Sequence, residues 1–210
     1  MQKKLIFTAA LLLALLATFS WWYLAANKAP ASADRSALVR PHSPILGPSD
    51  APVVIVEFFD PACGTCRTFY PLVKQLMAQQ PERLRLVLRY APFHKGSDKV
   101  VAVLAGAHRQ GKFWPVLEAL LESQDDWASD HVAKVERVWS HLEGLGLNLE
   151  QLAFDMTAPE LQQAIAQDMA DANTLGVSQT PEYFVNGKPL PDFGFTQLKQ
   201  LVESELARTR

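Results

Sequence analysis

The stretch Val53-Val54-Ile55-Val56-Glu57-Phe58-Phe59-Asp60-Pro61-Ala62-Cys63-Gly64-Thr65-Cys66 decides how this 210-residue chain is read. The run from Val53 to Phe59 is almost unbroken in its apolar character, as in a strand covered on both faces. A short turn follows, and beyond Cys66 the period changes. Phe69, Leu72, Val73, Leu76 and Met77 recur at helical spacing and form one apolar stripe. Pro71 falls inside that helix, where it favours a kink. From Arg83 to Tyr90, Leu84, Leu86 and Leu88 alternate with Arg83, Arg85 and Arg89, the pattern of a second strand. Strand, helix and strand within about 40 residues make a βαβ unit, so the two strands should run parallel.

Downstream, the apolar spacing predicts helices over Asp98–Arg109, Phe113–Glu122, Asp130–Leu142, Asn148–Phe154 and Pro159–Leu175. Asn148 suits an N-cap and Pro159 a first helical turn. The chain then returns to strands, Glu182–Val185 and Lys188–Leu190, around Asn186-Gly187. Asn-Gly favours a two-residue hairpin, because both turn positions need positive φ. Thr196–Leu206 closes the order as a helix. The expected fold is therefore α/β, βαβ followed by helices and then ββα.

Upstream, Lys3 and Lys4 precede an uncharged run, Leu5–Leu24, that ends in Trp21-Trp22-Tyr23. Two readings stay open. The run is long enough to span a bilayer as an anchor, with its aromatic residues at the interface. Alternatively it is a signal segment cleaved after Ala33, in Ala31-Ser32-Ala33. Both keep the two lysines inside and export the remainder into an oxidising compartment. Residues 27–50 are rich in Ala, Pro and Ser and read as a linker with an edge segment near Ser36–Val39. The expected organisation is thus 1–26 anchor or signal, 27–50 linker and edge segment, and 51–210 one domain with a helical insertion at about 97–175. Apolar residues are 49% and charged residues 20% of the chain, enough for a sizeable core. A net charge of −2 offers no basic footprint for nucleic acid.

The chain has two cysteines, and both lie in the opening stretch. A zinc site would need further Cys or His at suitable spacing, and the five histidines are scattered. A structural disulfide closing so short a loop removes little unfolded-state entropy. Redox use remains. After a parallel strand, Cys63 falls at a helix N-terminus, where unpaired N–H groups and the helix dipole stabilise a thiolate. Cys63 is then the exposed, low-pKa nucleophile, and Cys66, one turn on, is the inward resolving thiol. Glu57, in so apolar a strand, is expected to have a raised pKa and to move a proton. The redox-active disulfide Cys63–Cys66 is itself the working group, and no cofactor or metal is expected.

The Cys-x-x-Cys after a strand, the helical insertion and the late Thr180-Pro181 before a hairpin resemble the DsbA-like branch of the thioredoxin superfamily. Pro92-Phe93-His94 and Gln110-Gly111-Lys112-Phe113-Trp114 are similar too, and the likeness covers about 51–206. It implies a thioredoxin fold and thiol–disulfide exchange with client proteins. It further implies that Pro181 is a cis-proline against the cysteines, that Thr180 offers backbone groups to an extended client, and that Glu57 is the buried acid beneath the site. The chain departs from strongly oxidising members in having Gly64-Thr65 where those carry Pro-His, so an expected thiolate stabiliser is missing. The direction of exchange therefore stays open between an oxidant and a reductase or isomerase with a narrow client set. Copper handling by the two thiolates is a third reading, short of a nearby third ligand. A membrane redox partner for recycling is expected. A monomer is expected as well, since 27–50 is too short for a dimerisation domain.

Overall fold

The computed structural model describes Thr18 and residues 35–209. The expected anchor or signal segment at 1–26 and Ala33 lie outside the described residues. Among the described residues no helix is long and apolar enough to cross a membrane.

Five strands form the central sheet: β1 (Ile45–Leu46), β2 (Val53–Phe59), β3 (Leu84–Tyr90), β6 (Glu182–Val185) and β7 (Lys188–Pro189), in the order β1-β3-β2-β6-β7. β2 and β3 run parallel, from Val53 opposite Leu84 to Phe59 opposite Tyr90. α2 (Gly64–Gln79) makes the crossover between them. β6 runs antiparallel to β2, with Glu57 opposite Tyr183 and Val56 opposite Phe184. Asn186 and Gly187 take φ of 49° and 83° in the turn to β7, which only a residue tolerant of the left-handed region adopts cheaply. α9 (Phe195–Arg208) closes the chain. This is the expected thioredoxin fold, and the helical insertion spans α3 (Ser97–Arg109) to α8 (Pro159–Thr174).

Alternation along β2 separates two cores. Val53, Ile55, Glu57 and Phe59 face α2 and the insertion, together with Cys66, Val73, Leu104, Leu117, Trp127, Tyr183 and Val185. Val56 and Phe58 face a smaller cluster with Leu38, Val87, Ala172 and Phe184. Within α2 the buried stripe is Cys66, Tyr70, Val73, Leu76 and Met77, while Phe69 and Leu72 lie on its half-buried flank.

Three expectations are corrected. The edge segment near Ser36–Val39 is instead a one-turn helix, α1 (Arg35–Leu38), and the edge strand is β1. From Ala37 onward the presumed linker is part of the body, because ion pairs fasten it. Arg40 pairs with Asp171 through both Nε (2.7 Å) and Nη2 (2.6 Å), and His42 Nε2 lies 2.6 Å from Asp168. Next, Arg89 does not face solvent. It is fully buried, with Nε and Nη2 donating to Asp168 at 3.0 and 2.8 Å, and its guanidinium lies over the Phe58 ring. α8 supplies those carboxylates, so one side of an apparently amphipathic strand is covered.

The third correction falls on Asp130–Leu142, expected as one helix. It opens as a hairpin, β4 (Ala128–Ser129) and β5 (Val132–Ala133), with Asp130 and His131 at φ of 51° and 61°. Only then come α6 (Val135–Val138) and a 3₁₀ turn, Trp139–His141. The hairpin docks on the loop after β3 through the Ala133 N–H, which donates to the Lys95 carbonyl at 2.8 Å. Docking needs Gly96, at φ of 80°, since a Cβ there would meet the Ala133 carbonyl at 2.5 Å. The remaining insertion helices are α4 (Phe113–Glu122), α5 (Gln124–Trp127) and α7 (Leu149–Asp155). Asn148 caps α7, its side chain accepting from the Gln151 N–H at 2.9 Å.

Candidate active site

The turn Asp60–Ala62 delivers Cys63 to the N-cap of α2. The Cys66 N–H donates to Cys63 Sγ at 3.5 Å, and the Cys63 thiol donates to the Thr180 carbonyl at 3.2 Å. Both cysteines are free thiols. Cys63 is 6% exposed and Cys66 fully buried. The expected exposure of Cys63 is thus corrected: the residue is buried at the N-cap and only borders a cleft of about 1110 Å³. Gly64, Thr65, Phe93, His131 and Thr180 also line that cleft.

The two thiols differ sharply in acidity. Hydrogen bonding from the Cys66 thiol, opposed by burial and helped by the Thr180 side chain and the Cys66 and Thr65 backbone, brings Cys63 down to about 5. The direction is the one expected of a helix start, but the Cys66 thiol is the main cause and the backbone N–H groups at the terminus are the smallest. Cys66 goes the other way: burial, then Cys63 and the Glu57 carboxylate, push it well above the ordinary thiol range.

Glu57 is fully buried on the same face of β2. Burial pushes its carboxyl up to about 8, the Tyr183 hydroxyl offsets part of that shift, and Cys63 adds to it. Neither carboxylate oxygen, nor the Tyr183 hydroxyl, has a hydrogen-bond partner of good geometry. An orphaned buried polar group costs about 1–3 kcal/mol, so a solvated edge carboxylate is not what the strand carries. The Thr180–Pro181 peptide bond is cis and leads directly into β6. Of the five residues singled out above, Cys63 and Thr180 line the cleft, Pro181 is buried directly after Thr180, and Cys66 and Glu57 are buried in the core beneath Cys63.

Two further groups hold the site, and sequence reasoning missed both. Asp60 is fully buried and accepts from the Ala62 N–H (2.8 Å), the His94 N–H (2.8 Å) and the Ser97 hydroxyl, with His94 Nδ1 at 2.7 Å. It ties the cysteine turn to the loop after β3, and His94 stacks on His131 of the docked hairpin with centroids 5.3 Å apart. Buried Gln124 of the insertion donates to the carbonyls of Pro61 (2.7 Å) and Cys63 (3.2 Å). An Asp at the end of an apolar strand, just before Pro61, was a usable signal of a turn anchor. Gln124 left none, because its partners are about 60 residues away.

A dithiol in which one sulfur ionises readily and the other keeps its proton suits one chemistry, thiol–disulfide exchange. The chain carries that dithiol on a thioredoxin fold. It belongs to the thioredoxin family, whose model matches residues 40–204. A thioredoxin-like oxidoreductase from Silicibacter pomeroyi is 35% identical, with a TM-score of 0.72 over 85% of this chain and 99% of that one. BdbD from Bacillus subtilis shares the fold at 22% identity and TM-score 0.72, over 86% of this chain and all (100%) of its own. Wolbachia pipientis α-DsbA1 does so at 16% and 0.69, over 82% and 97%. The fold expected from the resemblance is thus the fold these structures share. The Na⁺/H⁺ antiporter NhaA of Herminiimonas arsenicoxydans is also 30% identical over 146 residues, 70% of this chain and 22% of the antiporter. This chain thus spans about a fifth to a quarter of the length of the curated relatives it matches.

Proposed function

We propose that the protein is an exported, DsbA-like oxidant of client dithiols. The observation that carries this reading is the opposed acidity of Cys63 and Cys66. A thiolate stabilised in the reduced form makes the disulfide a better oxidant. A Cys63 value of about 5 lies between the roughly 7 of thioredoxin and the roughly 3.5 of DsbA. The helix terminus and the Cys66 donors thus compensate in part for the His absent from Gly64-Thr65.

In this direction a client thiolate attacks Cys63 Sγ of the Cys63–Cys66 disulfide. The client–Cys63 bond forms as the Cys63–Cys66 bond breaks, and the electron pair leaves on Cys66. Glu57, protonated at neutral pH with a value near 8, gives that sulfur its proton. A second client thiolate attacks the client sulfur of the mixed disulfide and leaves Cys63 as the thiolate it favours. The client has lost two electrons, and Glu57 regains its proton from solvent. Thr180, whose carbonyl already meets Cys63, and Pro181 serve as the contact for an extended client segment, and the Cys63–Cys66 pair needs no other cofactor.

Export and an extracytoplasmic location rest on Lys3-Lys4 and the apolar run Leu5–Leu24, as does an anchor with a membrane partner for recycling. Two measurements test the function. Cys66→Ala should accumulate client mixed disulfides on Cys63, whereas Cys63→Ala should trap none. Equilibration of the wild-type pair with glutathione should give a potential well above the approximately −270 mV of thioredoxin. A value near thioredoxin's would make the protein a reductase.

A further inference from the structure

Tyr183 is the residue directly opposite Glu57 in the β2–β6 ladder. Both side chains are fully buried and point to the face of the sheet on which Cys66 lies. The Tyr183 ring is part of an aromatic stack. Phe69 lies 6.2 Å away at 29°, and Phe193 lies 4.7 Å from Phe69. With its ring fixed, the adjustable part of Tyr183 is its hydroxyl. Neither that hydroxyl nor either Glu57 oxygen has a hydrogen-bond partner of good geometry in the free-thiol protein, although the hydroxyl already interacts with the carboxyl and lowers its pKa. Burying a phenol against a carboxyl and leaving both unpaired is unfavourable, and phenylalanine would fill the same space without an orphan.

We propose that Tyr183 is a positioning residue for Glu57: its hydroxyl donates to the Glu57 carboxylate once the Glu57 proton has passed to Cys66. The donation stabilises the anion that the transfer leaves behind on a buried carboxyl. It thereby sets the pH range over which Glu57 can give a proton to Cys66, or take one from it. The hydroxyl keeps its own proton, since burial and then the Glu57 charge raise its pKa well above the ordinary tyrosine range. It is a hydrogen-bond donor and not a link in a proton chain. The proposal rests on the oxidoreductase reading for its consequence in catalysis, but its physical content is the Glu57–Tyr183 pair alone.

The test is therefore made first on the pair. The Glu57 carboxyl is titrated by carbon-13 NMR in the reduced full-length protein and in Tyr183→Phe. A hydrogen bond to a charged group corresponds to a shift of about one pH unit or more, so Tyr183→Phe should move the Glu57 midpoint upward by that amount. The second readout is the rate at which Cys66 resolves a Cys63 mixed disulfide with a small model thiol, followed against pH. Its Glu57-dependent limb should move upward by the same amount in Tyr183→Phe. In a Glu57→Gln background, Tyr183→Phe should change neither the rate nor the profile. An unshifted Glu57 midpoint, or a rate loss equal at every pH and persisting with Glu57→Gln, would reduce Tyr183 to a packing residue. Absence of any mixed disulfide in Cys66→Ala would overturn the oxidoreductase reading, while the titration would still decide the role of Tyr183.

Discussion

Replacing Glu57 by Gln removes a buried carboxyl whose proton is held to about pH 8. Because its ordinary value is 4.5, the native state binds a proton that the unfolded chain has released between those two values. Stability therefore falls as pH rises through that window and is unaffected by Glu57 below it. Glu57→Gln should accordingly stabilise the protein by about 3 kcal/mol at pH 7, with the gain vanishing near pH 4.5. Urea unfolding at the two pH values measures it. The same variant should slow exchange at Cys66, since the acid is gone. Glu57 was legible as an anomaly, a carboxyl in an apolar strand. Its partner Tyr183 was not, because the pairing is set by the β2–β6 register across more than a hundred residues.

At the scale of elements, β2, α2, β3 and the closing ββα were readable because period and turn chemistry agree locally. Where they failed to be readable, a distant element had overridden the local pattern. The alternation around Arg89 describes a strand with one wet face, yet Asp168 and Asp171 of α8 bury that residue in an ion-pair cluster. Arg89 holds Asp171 together with Arg40, and the two cations keep the Asp171 carboxyl well below the usual carboxylate range. Arg89→Ala should cost about 3–5 kcal/mol, the usual penalty for leaving buried charge uncompensated, as read from the urea midpoint. The cluster lies on the face of the sheet away from Cys66 and Glu57. The thiol reactivity of the folded protein should therefore be unchanged, and a large loss would show that the two faces are coupled. The hairpin at 128–133 was misread for a related reason. Val132, Val135, Val138 and Trp139 mimic a helical stripe, whereas the first of them pairs with Ser129 in the hairpin and bridges to Lys95.

For the whole molecule, the site and the stability are linked through Cys63. In the reduced protein its pKa is depressed to about 5, below the value of about 8.5 for an unfolded thiol. The reduced form thus gains stability that is fully present above the unfolded value and is lost as pH falls through the folded one. The oxidised form has no such thiolate. The reduced protein should therefore melt above the oxidised protein at pH 7, and the gap should close as the pH approaches 5. Calorimetry of the two forms checks both the ordering and its pH dependence, and the reverse ordering at pH 7 would count against an oxidant. By itself the sequence determined the chemistry and the fold class, because a Cys-x-x-Cys at a strand-to-helix turn and the periodicity around it are local features. It also singled out Glu57, and through resemblance Thr180 and Pro181. Only the tertiary structure decided how deep Cys63 lies, that Asp60 and Gln124 hold its turn, and that Glu57 faces Tyr183. Burial, register and hydrogen-bond partners are relations between residues far apart in the chain, and the opening stretch contains only one side of each.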